Sequence, residues 1–141
     1  MNCPCCSGKE YATCCEPFHL NIELPKTPEE LMRSRYAAFA MVLPEYLVDT
    51  THSSTQKDND FSDIEDWAKS NKWLKLEIVF AKDNKVRFRA YYQDKQGEIY
   101  EHDELSRFVQ ENGKWFYVDG EFYWFLKINS EKCLFERSRD C

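Results

Sequence analysis

A chain of 141 residues, 43% hydrophobic and 16% aromatic, holds enough apolar material for one folded domain plus a short appendage, which excludes a disordered polymer. Its formal net charge of −6 argues against non-specific nucleic-acid binding, since Arg87 and Arg89 stand among acidic neighbours and no basic patch is seen. No apolar run approaches the length of a bilayer crossing and Met1-Asn2-Cys3 does not open a secretion signal, so the expected location is the cytoplasm, where thiols stay reduced.

Three stretches differ in character: residues 1–20 are rich in cysteine, 27–126 carry helical and then strand patterns, and 127–141 form a charged tail. Thr27, Pro28 and Glu30 predict a helix start with a Thr-x-x-Glu capping box. Met32, Tyr36, Phe39 and Leu43 then recur at helical spacing, with Leu31, Ala38 and Val42 widening the apolar arc. Pro44 opens a shorter helical segment over Glu45 to Asp49. Ser62 and Glu65 read as a second capping box, starting a helix through Ile64, Trp67 and Ala68 that ends near Asn71.

Strands follow. Leu74, Leu76, Ile78 and Phe80 alternate with polar residues, as do Val86, Phe88, Ala90 and Tyr92. A third run spans Glu98 to Gln110 and a fourth Trp115 to Asp119, with Asn112-Gly113 between them as the strongest hairpin signal in the chain. Helices first and a meander of strands afterwards predict an α+β domain with the helices on one face of a curved antiparallel sheet. Tyr123, Trp124 and Phe125 either mark a homodimer surface or finish that sheet.

Five of the seven cysteines lie between Cys3 and Cys15. Clustered thiols in a reducing compartment point to metal, and two cysteine pairs flanking a tight Ser7-Gly8 turn can converge on one tetrahedral zinc ion. Such short segments cannot bury a core, so the ion must supply the folding energy.

Cys3-x-Cys5-x-Ser7-Gly8-Lys9-x-Tyr11-x-x-Cys14-Cys15 resembles the SEC-C zinc motif, also found in the preprotein translocase motor SecA. The resemblance implies structural zinc held by Cys3, Cys5, Cys14 and Cys15, and a knuckle that contacts other proteins. Cys6 stands where that motif usually has glycine; it either competes as a ligand or stands by, and His19 is the remotest candidate.

The likeness extends further. Leu31-Met32-Arg33-Ser34-Arg35-Tyr36-x-Ala38-Phe39, Tyr46-Leu47-x-x-Thr50-x-His52, and Glu104-x-Ser106-Arg107-Phe108 with Glu111-Asn112-Gly113-x-Trp115-x-Tyr117-x-Asp119-Gly120 resemble the bacterial YchJ family. That resemblance implies a nuclear transport factor 2-like cone, and little about activity. Thr51-His52-Ser53 replaces the family's usual Trp-His-Pro. Cys133 and Cys141 lack the spacing and the Gly and Lys context of a second zinc motif.

Arg35 falls inside the apolar arc of its helix, where a charge needs a partner. A two-residue Asn112-Gly113 loop pairs Phe108 with Tyr117 and Ser106 with Asp119, which places Glu104, Ser106, Tyr117 and Asp119 on one sheet face with Glu104 or Asp119 able to meet Arg35. With His52 after the second helical segment, these residues define a possible pocket. His102 shares the face of Glu104, yet Glu101, Asp103 and Glu104 around it read as a solvated acidic edge. No Ser-His-Asp order, phosphate loop or nucleotide fingerprint is present, so no reaction is named. The preferred expectation is a zinc-binding protein-binding or adaptor module with a protein partner at the knuckle; the alternative is a small-ligand carrier or enzyme using the cone.

Overall fold

The computed structural model describes residues 1–58 and 60–128, the side chains of 123–128 excepted. Cys133, Cys141 and the tail beyond Ile128 lie outside the described residues. The element order is a 3-10 turn (Tyr11–Thr13), α1 (Glu16–His19), α2 (Pro28–Ala40), α3 (Pro44–Asp49), α4 (Ser53–Gln56), α5 (Phe61–Ser70), β1 (Lys72–Lys82), β2 (Lys85–Gln93), β3 (Ile99–Glu111) and β4 (Lys114–Ile128). The strands form one antiparallel meander in the order β1-β2-β3-β4. Mixed helices and a curved sheet, with a cysteine knuckle in front, are the architecture the sequence predicts.

Helix α2 starts where its capping residues place it. Thr27 Oγ1 accepts from the Glu30 amide at 3.1 Å, and Glu30 Oε1 accepts in return from the Lys26 amide at 2.7 Å, one residue further back than a strict box. The apolar arc of α2 meets β1, β2 and β4 through Leu31, Met32 and Tyr36, which join Leu76, Val86, Phe88 and Phe108 in the main core. Helix α5 departs from the prediction: it begins at Phe61 after Asp60, and no side chain caps it. The short helices α1 and α4 carry too few residues to show a period.

Strand β4 holds the most consequential departure. The Asn112-Gly113 turn forms as predicted, with both residues at positive φ (52° and 80°) and Glu111 paired to Lys114. Phe108 faces Tyr117, but Val118 is an extra residue, so Asp119 pairs with Arg107 and Gly120 with Ser106. The cause is a second partner for this stretch. Tyr117 donates its amide to Thr50 O at 2.8 Å and accepts from the His52 amide at 2.7 Å, while Thr55 Oγ1 donates to Val118 O at 2.7 Å. Segment 50–55 thus holds the bulge from outside the sheet. The backbone of Tyr123, Trp124 and Phe125 continues β4, so these residues extend the sheet.

The face of the sheet opposite the helices carries an ion-pair ladder instead of a solvated acidic edge. Asp103 accepts two hydrogen bonds from Arg87, both at 3.1 Å, and one from Arg89 Nε at 3.2 Å; Arg89 reaches on to Glu77 at 3.3 Å. Asp103 is 4% exposed. Burial alone would raise its pKa, but the bonds from Arg87 and Arg89 outweigh that and leave it below the ordinary carboxylate value. Because the folded pKa is depressed, the contribution is complete above the unfolded value of about 4 and is lost as pH falls through the folded one. Asp103→Asn should therefore lower stability by about 2 kcal/mol at neutral pH and flatten the loss of stability below about pH 4, read from urea denaturation at a series of pH values.

Candidate functional site

The cysteine knuckle is built on a miniature hairpin. Asn2 and Glu10 form an isolated antiparallel bridge, the Cys3 amide donates to Lys9 O at 2.9 Å, and Gly8 turns the chain at φ 86°. The 3-10 turn then delivers Cys14 and Cys15 to the open side of Cys3 and Cys5. All four Sγ atoms lie within 4.8 Å of one another, with Cys5 to Cys14 at 3.6 Å and Cys14 to Cys15 at 3.9 Å. A tetrahedral ion with metal–sulfur bonds of about 2.3 Å needs thiolates about 3.8 Å apart, so this donor set fits one metal ion with no position left for water. Hydrogen bonds from Cys15 and Cys3 hold the Cys5 thiol well below the ordinary thiol range, while those to Cys3 and Cys5 push Cys15 up. Thiolates crowded this closely repel one another unless a cation lies between them.

The two remaining candidates stand outside this cluster. The Cys6 sulfur accepts from the Leu76 amide at 3.4 Å and packs against the main core. His19 has both ring nitrogens engaged: Nε2 donates to Ser34 O at 2.8 Å, so Nδ1 accepts from Tyr11 OH at 2.7 Å. Burial pushes the His19 pKa down, which agrees with a neutral ring. These contacts, with Arg33 Nη1 donating to Cys5 O at 2.9 Å, lock the knuckle onto α2. Ala37, fully buried, is the α2 side chain packed beneath Cys3, Cys5 and Cys15.

The opposite side of α2 roofs a cavity of about 300 Å³ in the cone. Its wall is largely aromatic, with Tyr36, Trp67, Trp73, Phe88, Tyr92 and Phe122 around it. Into this wall the sheet inserts Glu104, 5% exposed. Oε1 accepts from His102 Nε2 at 2.8 Å, and Oε2 accepts from Ser106 Oγ at 2.6 Å and from Tyr117 OH at 2.9 Å. Burial raises the Glu104 pKa, but the bonds from His102 and Ser106, with the pull of His102 and Tyr117, outweigh it and keep the carboxyl below its ordinary range. The buried carboxylate is therefore ionised and saturated.

Of the residues singled out in the sequence, Arg35, Glu104, Ser106 and Tyr117 meet at this cavity, and two others do not. His52 caps α4 and its Nε2 lies 2.7 Å from Glu111 Oε2. Asp119 is turned outward by the Val118 bulge and takes a two-pronged bond from Arg107 at 2.9 and 3.1 Å. Arg35 pairs with neither carboxylate: Nη1 donates to Leu47 O at 2.9 Å, Thr50 Oγ1 at 2.6 Å and Thr51 Oγ1 at 3.3 Å. Its guanidinium carbon sits 4.6 Å from the Tyr117 ring centre. The residues that sequence reasoning passed over are His102 and Gly120. His102 was legible from strand parity, since it shares a face with Glu104 and Ser106 and pairs across to Ala90.

The comparisons agree with this arrangement. A family model described as the YchJ middle NTF2-like domain matches residues 27–120. UPF0225 proteins of Vibrio cholerae serotype O1 and Actinobacillus succinogenes are 38% and 40% identical, covering 86% and 83% of this chain and 83% and 79% of their own. Among solved structures, a SEC-C motif containing protein from Rhodopseudomonas palustris is similar with a TM-score of 0.80 and 34% identity, covering 86% of this chain and 98% of its own. Another SEC-C motif containing protein, from Psychrobacter arcticus, gives 0.73 and 32%, covering 90% and 84%.

Gly120 leaves room for the Glu104 carboxylate, because a Cβ there would collide with Oε2, Cδ and Cγ of that side chain. Gly120→Ala should cost about 2 kcal/mol in urea denaturation by forcing Glu104 off its three donors. Unchanged stability would mean that the carboxylate is free to move.

Proposed function

The chain belongs to the YchJ family, and from that premise we propose that it is a zinc-stapled receptor for a small apolar ligand held in the cone of its NTF2-like domain. The observation that carries the reading is the cavity itself. An aromatic chamber of about 300 Å³ that contains a saturated buried carboxylate and the edge of a buried guanidinium is at the small end of ligand pockets in size and typical in character. A buried carboxylate held by three donors is a fixed polar group inside an apolar wall, the kind that orients a bound ligand.

Zinc is the ion that four thiolates at these separations suit, and a closed set of this kind gives it a structural part. The ion would be held by Cys3, Cys5, Cys14 and Cys15, and its chemistry is to replace the protons of crowded thiols with a fixed cation. A reducing compartment such as the cytoplasm keeps those thiols available. Among the described residues, no helix is long and apolar enough to cross a membrane.

A second reading, a protein-binding adaptor, is favoured by one specific feature. Leu20, Ile22 and Leu24 follow the knuckle and are 61%, 72% and 47% exposed, an apolar edge beside the metal centre. A protein partner would be captured there without engaging the cavity.

Elemental mass spectrometry of protein purified without added metal should find one zinc per chain, retained by Cys6→Ser and lost by Cys14→Ser. Chelation should lower the melting temperature by about 10 °C, since the knuckle has no core of its own. For the cavity, N-phenyl-1-naphthylamine, a neutral fluorescent probe, should bind saturably at one site, and Ala90→Phe should weaken it at least tenfold by filling the chamber. Non-saturable binding, indifferent to Ala90→Phe, would leave the adaptor reading in its place.

A further inference from the structure

Arg35 is 7% exposed and, among the described residues, is the one arginine on the cavity wall. Every hydrogen bond it makes leaves from Nη1, and every acceptor is a neutral oxygen. Among the described residues Nε and Nη2 have no acceptor, yet neither is sealed away from space, because no Arg35 nitrogen is an orphan of the closed interior. The cavity that Arg35 lines is the space at hand for their N–H groups. The cross-link from α2 to the end of α3 needs Nη1 alone, so half of the guanidinium fork is unspent.

The charge is unspent too. Glu104, the carboxylate of the cavity, is saturated by His102, Ser106 and Tyr117 and makes no ion pair with Arg35. Tyr117 stands between them, its hydroxyl on Glu104 and its ring against the guanidinium. Burial pushes the Arg35 pKa down from its usual value, with Tyr117, Tyr46 and Glu104 only partly offsetting it. A buried cation without a counter-ion is costly, and the edge formed by Nε and Nη2 matches the two oxygens of a planar carboxylate.

Resting on the cavity being the binding site proposed above, we infer that its ligand is a small planar apolar acid whose carboxylate sits on the free Nε–Nη2 edge of Arg35 and whose ring system lies among Tyr36, Trp73 and Phe88. The aromatic wall supplies the apolar contact and Arg35 supplies orientation. Lysine would keep the charge at this position and lose the two-pronged match.

The test compares a matched pair of probes, 2-naphthoate and 2-naphthamide, by isothermal titration calorimetry on the zinc-loaded full chain. The two share a ring system and differ in the charge presented to Arg35. Wild-type protein should bind naphthoate at least tenfold more tightly than naphthamide, and Arg35→Lys should bring the ratio of the two affinities down to near one. Equal affinity of the two probes for wild type would overturn the carboxylate site and leave the cavity reading standing. A preference that persists undiminished in Arg35→Lys would overturn the assignment to the fork. Binding of neither probe, with N-phenyl-1-naphthylamine also silent, would overturn both. The wild-type comparison decides the preference for a carboxylate even if Arg35→Lys fails to fold, and Thr50→Val, which removes one acceptor of Nη1 and leaves the Nε–Nη2 edge, should keep that preference.

Discussion

Everything in this molecule depends on α2 being buried on two sides at once. One side must lie flat enough for a cluster of thiols to press against it, and Ala37 meets that requirement by having almost no side chain. The other side must close a chamber, and Met32, Tyr36 and Phe39 meet it with bulk. Between the two runs a line of polar anchors: Arg33 to the knuckle, Ser34 to α1 and α3, Arg35 to the end of α3. A 13-residue helix cannot satisfy such demands through propensity, and it is its neighbours on both sides that hold it.

The neighbours are of different kinds. On the cone side the restraint is ordinary apolar packing, which grows with area and tolerates small changes of shape. On the knuckle side it is four sulfur atoms and a few directed hydrogen bonds. Tyr11, His19 and Ser34 form one such chain, and its directions are fixed because a backbone carbonyl can only accept. Burial that keeps His19 neutral also keeps that chain aligned. The thiol cluster and the chamber thus share a wall, although among the described residues no side chain belongs to both.

Much of this was legible in the residues. The capping residues of α2, the Asn112-Gly113 turn and the clustering of Cys3, Cys5, Cys14 and Cys15 are local patterns, written within a dozen or so positions, and each appears where its pattern puts it. What stayed hidden was decided at a distance. Asp60 rather than Ser62 precedes α5, and no capping bond marks the start. Asp103 reads as a surface acid until Arg87 and Arg89 are laid across from it, and Arg35 reads as half of an ion pair until the threonines after α3 take its Nη1. The Val118 bulge could not be read from β3 and β4, because the groups that hold it come from segment 50–55. His102 was available to strand parity and was obscured by its acidic neighbours in sequence.

A β-strand is read in a frame of two, inside and outside by turns, and the bulge at Val118 is a frameshift of one. Upstream of it Tyr117 looks inward on an odd number; downstream, Gly120 and Phe122 look inward on even ones. The strand therefore carries two incompatible phases, which meet at a point fastened by Thr50, His52 and Thr55 and again at the register shift between Asp103 and Glu104. Were Val118 taken into the ladder instead of bulged out, the strand would keep its length and invert its meaning: an aspartate would face Ser106 in the aromatic chamber, and the small residue beneath Glu104 would leave it. The position of the bulge thus itself decides which side chains line the chamber.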